Sequence, residues 1–161
     1  MTNKKPQLAI DSSKVDLDKH FSKGGYLIAS PKLDGIRCSV QGGVVLSRTL
    51  KPIPCDKVQE LFGDDLMNGF DGELIAGSSV APDVCRNTVH NCMCDNYPED
   101  GSKLTFYVFD LIDEDGLTYQ ERLDKLYNTP RGSVNVVFLG SVVVRDMADV
   151  ERFESECLGA G

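Results

Sequence analysis

Short runs of apolar, branched and aromatic residues, cut by Asp-Gly and Gly-Gly breaks, dominate the first third of the chain. "YLIAS" (26–30) predicts a strand, Asp34-Gly35 a turn, "IRCSVQ" (36–41) a second strand, Gly42-Gly43 a second turn and "VVLSR" (44–48) a third strand. Runs joined by such dipeptides are the pattern of hairpins, and this succession predicts a β-meander. "KPIP" (51–54) breaks it, because proline lacks the N–H that a sheet ladder needs. "CDKVQELF" (55–62) then places Val58, Leu61 and Phe62 at helical spacing, with Gly63 behind them.

Further along, "FDGELIAG" (70–77) reads as a strand opening with a second Asp-Gly, and residues 82–94 fit helix or loop equally. "KLTFYVFDLI" (103–112), rich in aromatic and branched residues, is the strongest strand signal. "TYQERLDKLY" (118–127) is a helix with a Thr118/Glu121 capping box and apolar Leu123, Leu126 and Tyr127. "VNVVFLGSVVV" (134–144) predicts another strand region, and "DMADVERFESECL" (146–158) a last helix stopped by Gly159. Strand clusters punctuated by single helices, without regular βαβ alternation, predict an α+β fold with mainly antiparallel sheets and flanking helices.

The 161 residues suit one domain, and 41% hydrophobic with 26% charged residues suits a soluble globular chain able to bury a substantial core. "MTNKKPQLAIDSS" has no apolar run long enough for a signal peptide or a membrane span, so the expectation is a cytoplasmic protein with no membrane partner. In that compartment the six cysteines are expected as free thiols. The net charge of −8 argues against a general nucleic-acid binder, but the charge is uneven. Residues 1–58 hold ten Lys/Arg against five Asp/Glu, and residues 59–161 hold seven against twenty. The basic part contains "SPKLDGIRC" (30–38), where an anionic ligand would find complementary charge.

A lone K-x-D-G is most often a decorated turn. Here it is followed in order by "LSRTLKPIP" (46–54), "DGEL" (71–74) and "FYVFDLI" (106–112). The ordered set resembles the covalent nucleotidyltransferase superfamily, which includes polynucleotide ligases and RNA capping enzymes, and within it small viral and phage ATP-dependent DNA ligases. Lys32, Asp34, Gly35 and Arg37 match the K-x-D-G-x-R motif, Ser47 and Arg48 the S-R element, Asp71, Gly72 and Glu73 the D-G-E motif, and Phe109 and Asp110 the F-D element. The resemblance runs from about residue 27 to the last residue.

The resemblance implies an ATP-grasp-like adenylation domain over 1–161, with ATP and Mg2+ (or Mn2+) as cofactors and nicked double-stranded DNA as the partner of a monomer. It implies that Lys32 attacks the α-phosphate of ATP to form lysyl-AMP, which then passes to the 5′-phosphate of a nick. A lysine attacks only as the neutral amine, the form that neighbouring cations favour. Ser30, on the same strand face as Lys32 by two-residue periodicity, is implied near the adenine amino group. Arg37 is implied at the ribose or phosphates, Glu73 at the ribose or a metal-bound water, and Phe109 stacked on adenine, where a flat apolar ring suits a flat base. Arg48 is implied on the 5′-phosphate or the nucleotide, and Asp34 in metal or hydroxyl handling during sealing.

The family pattern continues with a second glutamate motif, a later lysine pair and an OB-fold domain, none of which the chain contains. The resemblance is therefore to the N-terminal part of the adenylation domain, truncated before that glutamate motif, which would leave apolar surface or an open sheet edge. A catalytically silent fragment that binds nucleotide or a partner stays open as an alternative, as does an RNA ligase or capping-type enzyme. "CRNTVHNCMC" gathers Cys85, His90, Cys92 and Cys94, but their spacing is poor for a structural zinc and thiols are expected instead. Cys38, Cys55 and Cys157 form no cluster in sequence.

Overall fold

The structure is a computed structural model and describes residues 3–8, 12–93, 103–112 and 115–160. In chain order the strands are β1 (Leu27–Ala29), β2 (Ile36–Gln41), β3 (Val44–Ser47), β4 (Phe70–Ala76), β5 (Leu104–Leu111), β6 (Val136–Phe138) and β7 (Val142–Val144). The α-helices are α1 (Leu17–Ser22), α2 (Asp56–Phe62), α3 (Val84–Met93), α4 (Tyr119–Tyr127) and α5 (Met147–Gly159). The chain divides into two units, Leu33–Leu139 with the N-terminal residues to Pro6, and Gln7–Lys32 with Gly140–Gly161.

The first unit is built on a five-stranded sheet in the order β3-β2-β4-β5-β6. Its first four strands are antiparallel, and β6 runs parallel to β5. A parallel neighbour needs a crossover rather than a hairpin, and α4 lies on that connection. The α+β, mainly antiparallel architecture is thus as expected, with one parallel pair added. Cross-sheet register separates the two faces. Ile36, Leu74, Phe106 and Val136 form one row, and the adjacent row is Arg37, Glu73, Tyr107 and Val137. Successive residues of a strand point to opposite faces, so the first row enters the core and the second lies on the polar face. Phe62 of α2 meets Phe106 edge to face, with 5.7 Å between ring centroids.

The expected meander is only half present. β2 and β3 form the hairpin, turning at Gly42 and Gly43, whose φ values of 61° and 70° suit the mirror-type turns of tight hairpins. β1 does not precede them in the sheet; β2 has β4 on its other side. Asp34-Gly35 therefore makes no hairpin. Gly35 passes so close to β4 that a Cβ there would sit 2.3 Å from the Leu74 carbonyl oxygen, and the chain runs directly into β2.

Within the stretch 82–94, ambiguous in sequence, Val84–Met93 form helix α3, and residue 94 lies outside the described residues. Its buried positions are Val84, Thr88, Asn91 and Cys92, so half of the inward face is polar and the helical period is masked. Thr88 earns its burial by accepting the Ala76 N–H (3.0 Å) and donating to the Val84 carbonyl (2.7 Å). The capping box of α4 is present in full, with Thr118 accepting from the Glu121 N–H and Glu121 accepting from the Thr118 N–H.

The second unit contains a two-stranded antiparallel sheet in which Leu27 faces Val144 and Ala29 faces Val142. The run 134–144 is therefore two strands in different sheets, because the chain leaves one unit for the other after Leu139. Helix α1, not anticipated from sequence, is capped by Asp16, which accepts the Lys19 N–H at 2.9 Å. Helix α5 begins at its Asp146 cap and runs through Gly159 to the cap residue Ala160, one residue beyond the expected stop. Among the described residues no helix is long and apolar enough to cross a membrane.

Candidate active site

The polar face of β2, β4 and β5 brings together three of the residues singled out in sequence, Arg37, Glu73 and Phe109. Arg37 on β2 forms a bidentate pair with Asp71 on β4, through Nε to Oδ1 and Nη2 to Oδ2, both at 2.7 Å. Its guanidinium also lies over the Phe109 ring, 4.5 Å from the centroid. Glu73 stands directly across from Arg37 in register, yet its Oε1 accepts the Gly35 N–H at 3.1 Å. Arg37, Asp71, Glu73 and Phe109 thus form one constellation, tied to the backbone of the K-x-D-G-x-R motif at Gly35.

A β-bulge makes this possible. Asp71 pairs with Asp110, but the next residue, Gly72, pairs with Val108, so Phe109 is the extra residue. A bulge lets two residues of one strand oppose one residue of its neighbour and re-aims their side chains. The Phe109 ring meets Arg37, while Asp110 receives a second bidentate arginine, Arg122 of α4, at 2.7 and 3.0 Å. Arg122 also donates to the Leu117 carbonyl at 3.0 Å, and the Tyr119 hydroxyl donates to the Phe109 carbonyl at 3.1 Å. Gly72 is required at the bulge, since a Cβ there would stand 2.2 Å from the Tyr107 carbonyl oxygen.

The electrostatics follow from burial and pairing. Burial pushes the Asp71 carboxyl above the ordinary aspartate range, against the pull of Arg37. Burial pulls the Arg37 guanidinium down, but the hydrogen bonds and charge of Asp71 outweigh it and hold Arg37 above its usual value. Arg122 is raised chiefly by its hydrogen bonds to Asp110. On the opposite face Cys38 is wholly buried, and burial, with the negative charges of Asp71 and Glu73, pushes its thiol well up.

Other sequence candidates lie outside this constellation. Arg48 is exposed at the tip of a turn closed by the Leu50 N–H on the Ser47 carbonyl (2.8 Å) and the Ser47 N–H on the Lys51 carbonyl (2.8 Å). Leu50 adopts φ 62° in that turn, a strained value for a branched side chain of the kind that collects at functional loops. Asp34 is exposed ahead of β2. Ser30 and Lys32, both exposed, close the Gln7–Lys32 segment of the second unit. In α3, Cys85 donates to the Gly35 carbonyl at 3.7 Å, Cys92 is buried and His90 is exposed, while Cys94 lies outside the described residues. Cys38, Cys55, Cys85, Cys92 and Cys157 are all free thiols.

Asp71 as the partner of Arg37, and Tyr119 and Arg122 as supports of the F-D pair, were not singled out in sequence. A signal existed for the last two. Tyr119, Arg122, Leu123 and Leu126 share one side of a helix at 3–4 residue spacing, so Arg122 is a charge on a core-facing stripe.

No protein-family model matches the chain, and no curated protein matches it in sequence. Solved structures do. A Chlorella virus DNA ligase-adenylate matches over 99% of this chain and 58% of its own, with a TM-score of 0.73 and 24% identity. A second structure of Chlorella virus DNA ligase-adenylate matches over 98% of this chain and 56% of its own, with a TM-score of 0.73 and 26% identity. The fold is that of the DNA ligases. A Lig E DNA ligase, described as binding DNA with a minimal scaffold, matches over 99% of this chain and 59% of its own, with a TM-score of 0.69 and 21% identity. This chain spans under three-fifths of the length of those ligases. In this fold the D-G-E residues lie on β4, between β2, which carries Arg37, and β5, which carries Phe109 and Asp110.

Proposed function

We propose that this chain is the adenylate-accepting part of an ATP-dependent DNA ligase, with Lys32 as the nucleophile. The observation that carries the reading is the gathering of Arg37, Asp71, Glu73 and Phe109 on one sheet face, hydrogen-bonded to Gly35 of the motif that contains Lys32. The ligase-type fold and the order of the motifs support it.

In this reading the lone pair of the Lys32 Nζ attacks the α-phosphorus of ATP. An N–P bond forms, the bond from that phosphorus to the bridging oxygen breaks, pyrophosphate leaves, and the amine loses a proton. AMP then passes to the 5′-phosphate of a DNA nick, and attack by the 3′-hydroxyl expels it as the strand closes. Phe109 offers its ring to adenine, Ser30 a hydroxyl to the adenine amino group, and Glu73 an acceptor for the ribose hydroxyls. Arg37 supplies positive charge from a fixed position, because Asp71 determines where its guanidinium lies; such preorganised charge favours the crowded phosphorane-like transition state. Arg48, raised on its strained turn, serves the 5′-phosphate of the nick, and Asp34 the later sealing step.

The donor set fits a divalent cation that completes its shell with substrate oxygens. Among the described residues there is no group of three or more His, Cys, Asp or Glu that could cage an ion. Mg2+ bound with ATP is ordinarily held by one or two carboxylates plus phosphate oxygens, and Glu73 would contribute a carboxylate to such a shell. The ion would neutralise phosphate charge.

Incubation with ATP labelled at the α-phosphate and magnesium, followed by digestion and mass spectrometry, tests the reading. AMP is expected on the peptide containing Lys32 and is lost in Lys32→Ala. Label on another lysine, or label that persists in Lys32→Ala, would overturn the assignment. Label from GTP in preference to ATP would favour a capping-type enzyme.

A further inference from the structure

We infer that Tyr119 and Arg122, in the first turn of α4, are positioning residues that fix the nucleotide-facing aromatic ring of Phe109 by gripping both residues of the β5 bulge. The inference rests on the proposed stacking of adenine on Phe109 and adds to it what holds that ring.

A bulge leaves one residue outside the regular ladder, so its strand alone fixes it poorly. Phe109 is that residue. Its carbonyl accepts the Tyr119 hydroxyl at 3.1 Å, a bond from a helix where a regular ladder would supply a neighbouring strand. Asp110, the next residue, is held by both arms of Arg122 and caps its own strand by accepting the Leu111 N–H at 2.8 Å. Arg122 lies over the Tyr119 ring, 5.5 Å from the centroid, so the two supports brace each other. The Thr118–Glu121 capping box fixes where this helix begins. Only the Phe109 side chain is left to face Arg37 and a ligand.

Side chains that served stability alone would change melting without changing which part of a ligand is recognised. The full chain and its Tyr119→Phe, Arg122→Lys and Phe109→Ala variants are therefore titrated calorimetrically with ATP and with inorganic tripolyphosphate, which has no base, alongside thermal melts. Tyr119→Phe keeps the ring beneath Arg122 and removes one neutral hydrogen bond. It should weaken ATP binding about threefold to tenfold, in keeping with the loss of one such bond, with tripolyphosphate binding unchanged. Arg122→Lys, which loses the bidentate grip, should weaken ATP further. In a Phe109→Ala background Tyr119→Phe should add nothing, because coupled residues are not additive. ATP binding unchanged by Tyr119→Phe, or ATP and tripolyphosphate weakened equally, overturns the positioning role and leaves the adenylate reading standing. ATP bound equally well by wild type and Phe109→Ala, or not bound at all, overturns the base-stacking reading itself, and the positioning role falls with it.

Discussion

Arg37 reaches past Glu73, its cross-strand partner, and closes both guanidinium hydrogen bonds on Asp71, each 2.7 Å long. Asp71 has no solvent exposure, so the pair is the main compensation for burying its charge. Arg37→Met should destabilise the protein by about 3–5 kcal/mol, the usual consequence of stranding a buried partner, read as a lower urea midpoint. A cost near zero would mean that Asp71 is solvated without Arg37. The pH dependence has a defined sign. Burial already raises the Asp71 carboxyl, and losing Arg37 removes the opposing pull. A carboxyl with a higher value folded than unfolded takes up its proton more readily when folded. The Arg37→Met defect should therefore shrink as pH falls below that raised value towards the ordinary aspartate range.

The Asp-Gly pairs at 34–35 and 71–72 need glycine because backbones approach there. Gly35→Ala and Gly72→Ala would place a Cβ 2.3 and 2.2 Å from carbonyl oxygens of β4 and β5. Each should cost several kcal/mol or prevent folding. Gly77→Ala, in open space with φ 84°, should lose only the cost of a left-handed backbone, about 1–2 kcal/mol. Comparable melting temperatures for all three variants would contradict the close approach.

Thr118→Ala removes the side-chain half of the α4 capping box and should cost about 0.5–2 kcal/mol. Hydrogen bonds from Thr118 hold the Glu121 carboxyl below its ordinary value. Its contribution is thus present above the unfolded glutamate range and lost as pH falls through the lowered value. An NMR titration should find Glu121 moved part of the way back towards its ordinary value in Thr118→Ala, since the backbone N–H of residue 118 still donates to it; no movement would show that the Thr118 hydroxyl is not a cause.

Cys38, Cys55 and Cys92 are buried, and burial pushes the Cys92 thiol up to about 12. These cysteines should resist iodoacetamide in the native protein and react on unfolding, while half-buried Cys85 and Cys157 react first. Mass spectrometry of pulse-labelled peptides reads the order directly, and early labelling of Cys92 would contradict its burial.

Strands with a single clear period were legible in sequence. β2 falls on the expected residues 36–41, and β4 and β5 fall within one residue of theirs at each end. Which strands pair was not legible, because register depends on contacts far apart in the chain. β1 has the composition of a hairpin partner, yet it pairs with β7. Of the candidate site, residue types in a recognisable order singled out Arg37, Glu73 and Phe109, which the fold brings together. The site was not legible where a side chain acts through another. Nothing in "TYQERLDKLY" says that Arg122 reaches Asp110, since that bond exists only once the β5 bulge and the α4 crossover are both in place.

The pairing of Leu27 with Val144 also sets an order of events during synthesis. A ribosome adding about 5–20 residues each second takes several seconds to pass from one strand to the other. Until then β1, just ahead of Lys32, has no partner, while every strand of the five-stranded sheet has already been made. Contacts so distant in sequence close slowly, so β1 is expected to reach its native pairing later than the strands of the five-stranded sheet. A nascent chain would therefore carry all five strands of the larger sheet while the residues just ahead of Lys32 still lack their partner strand.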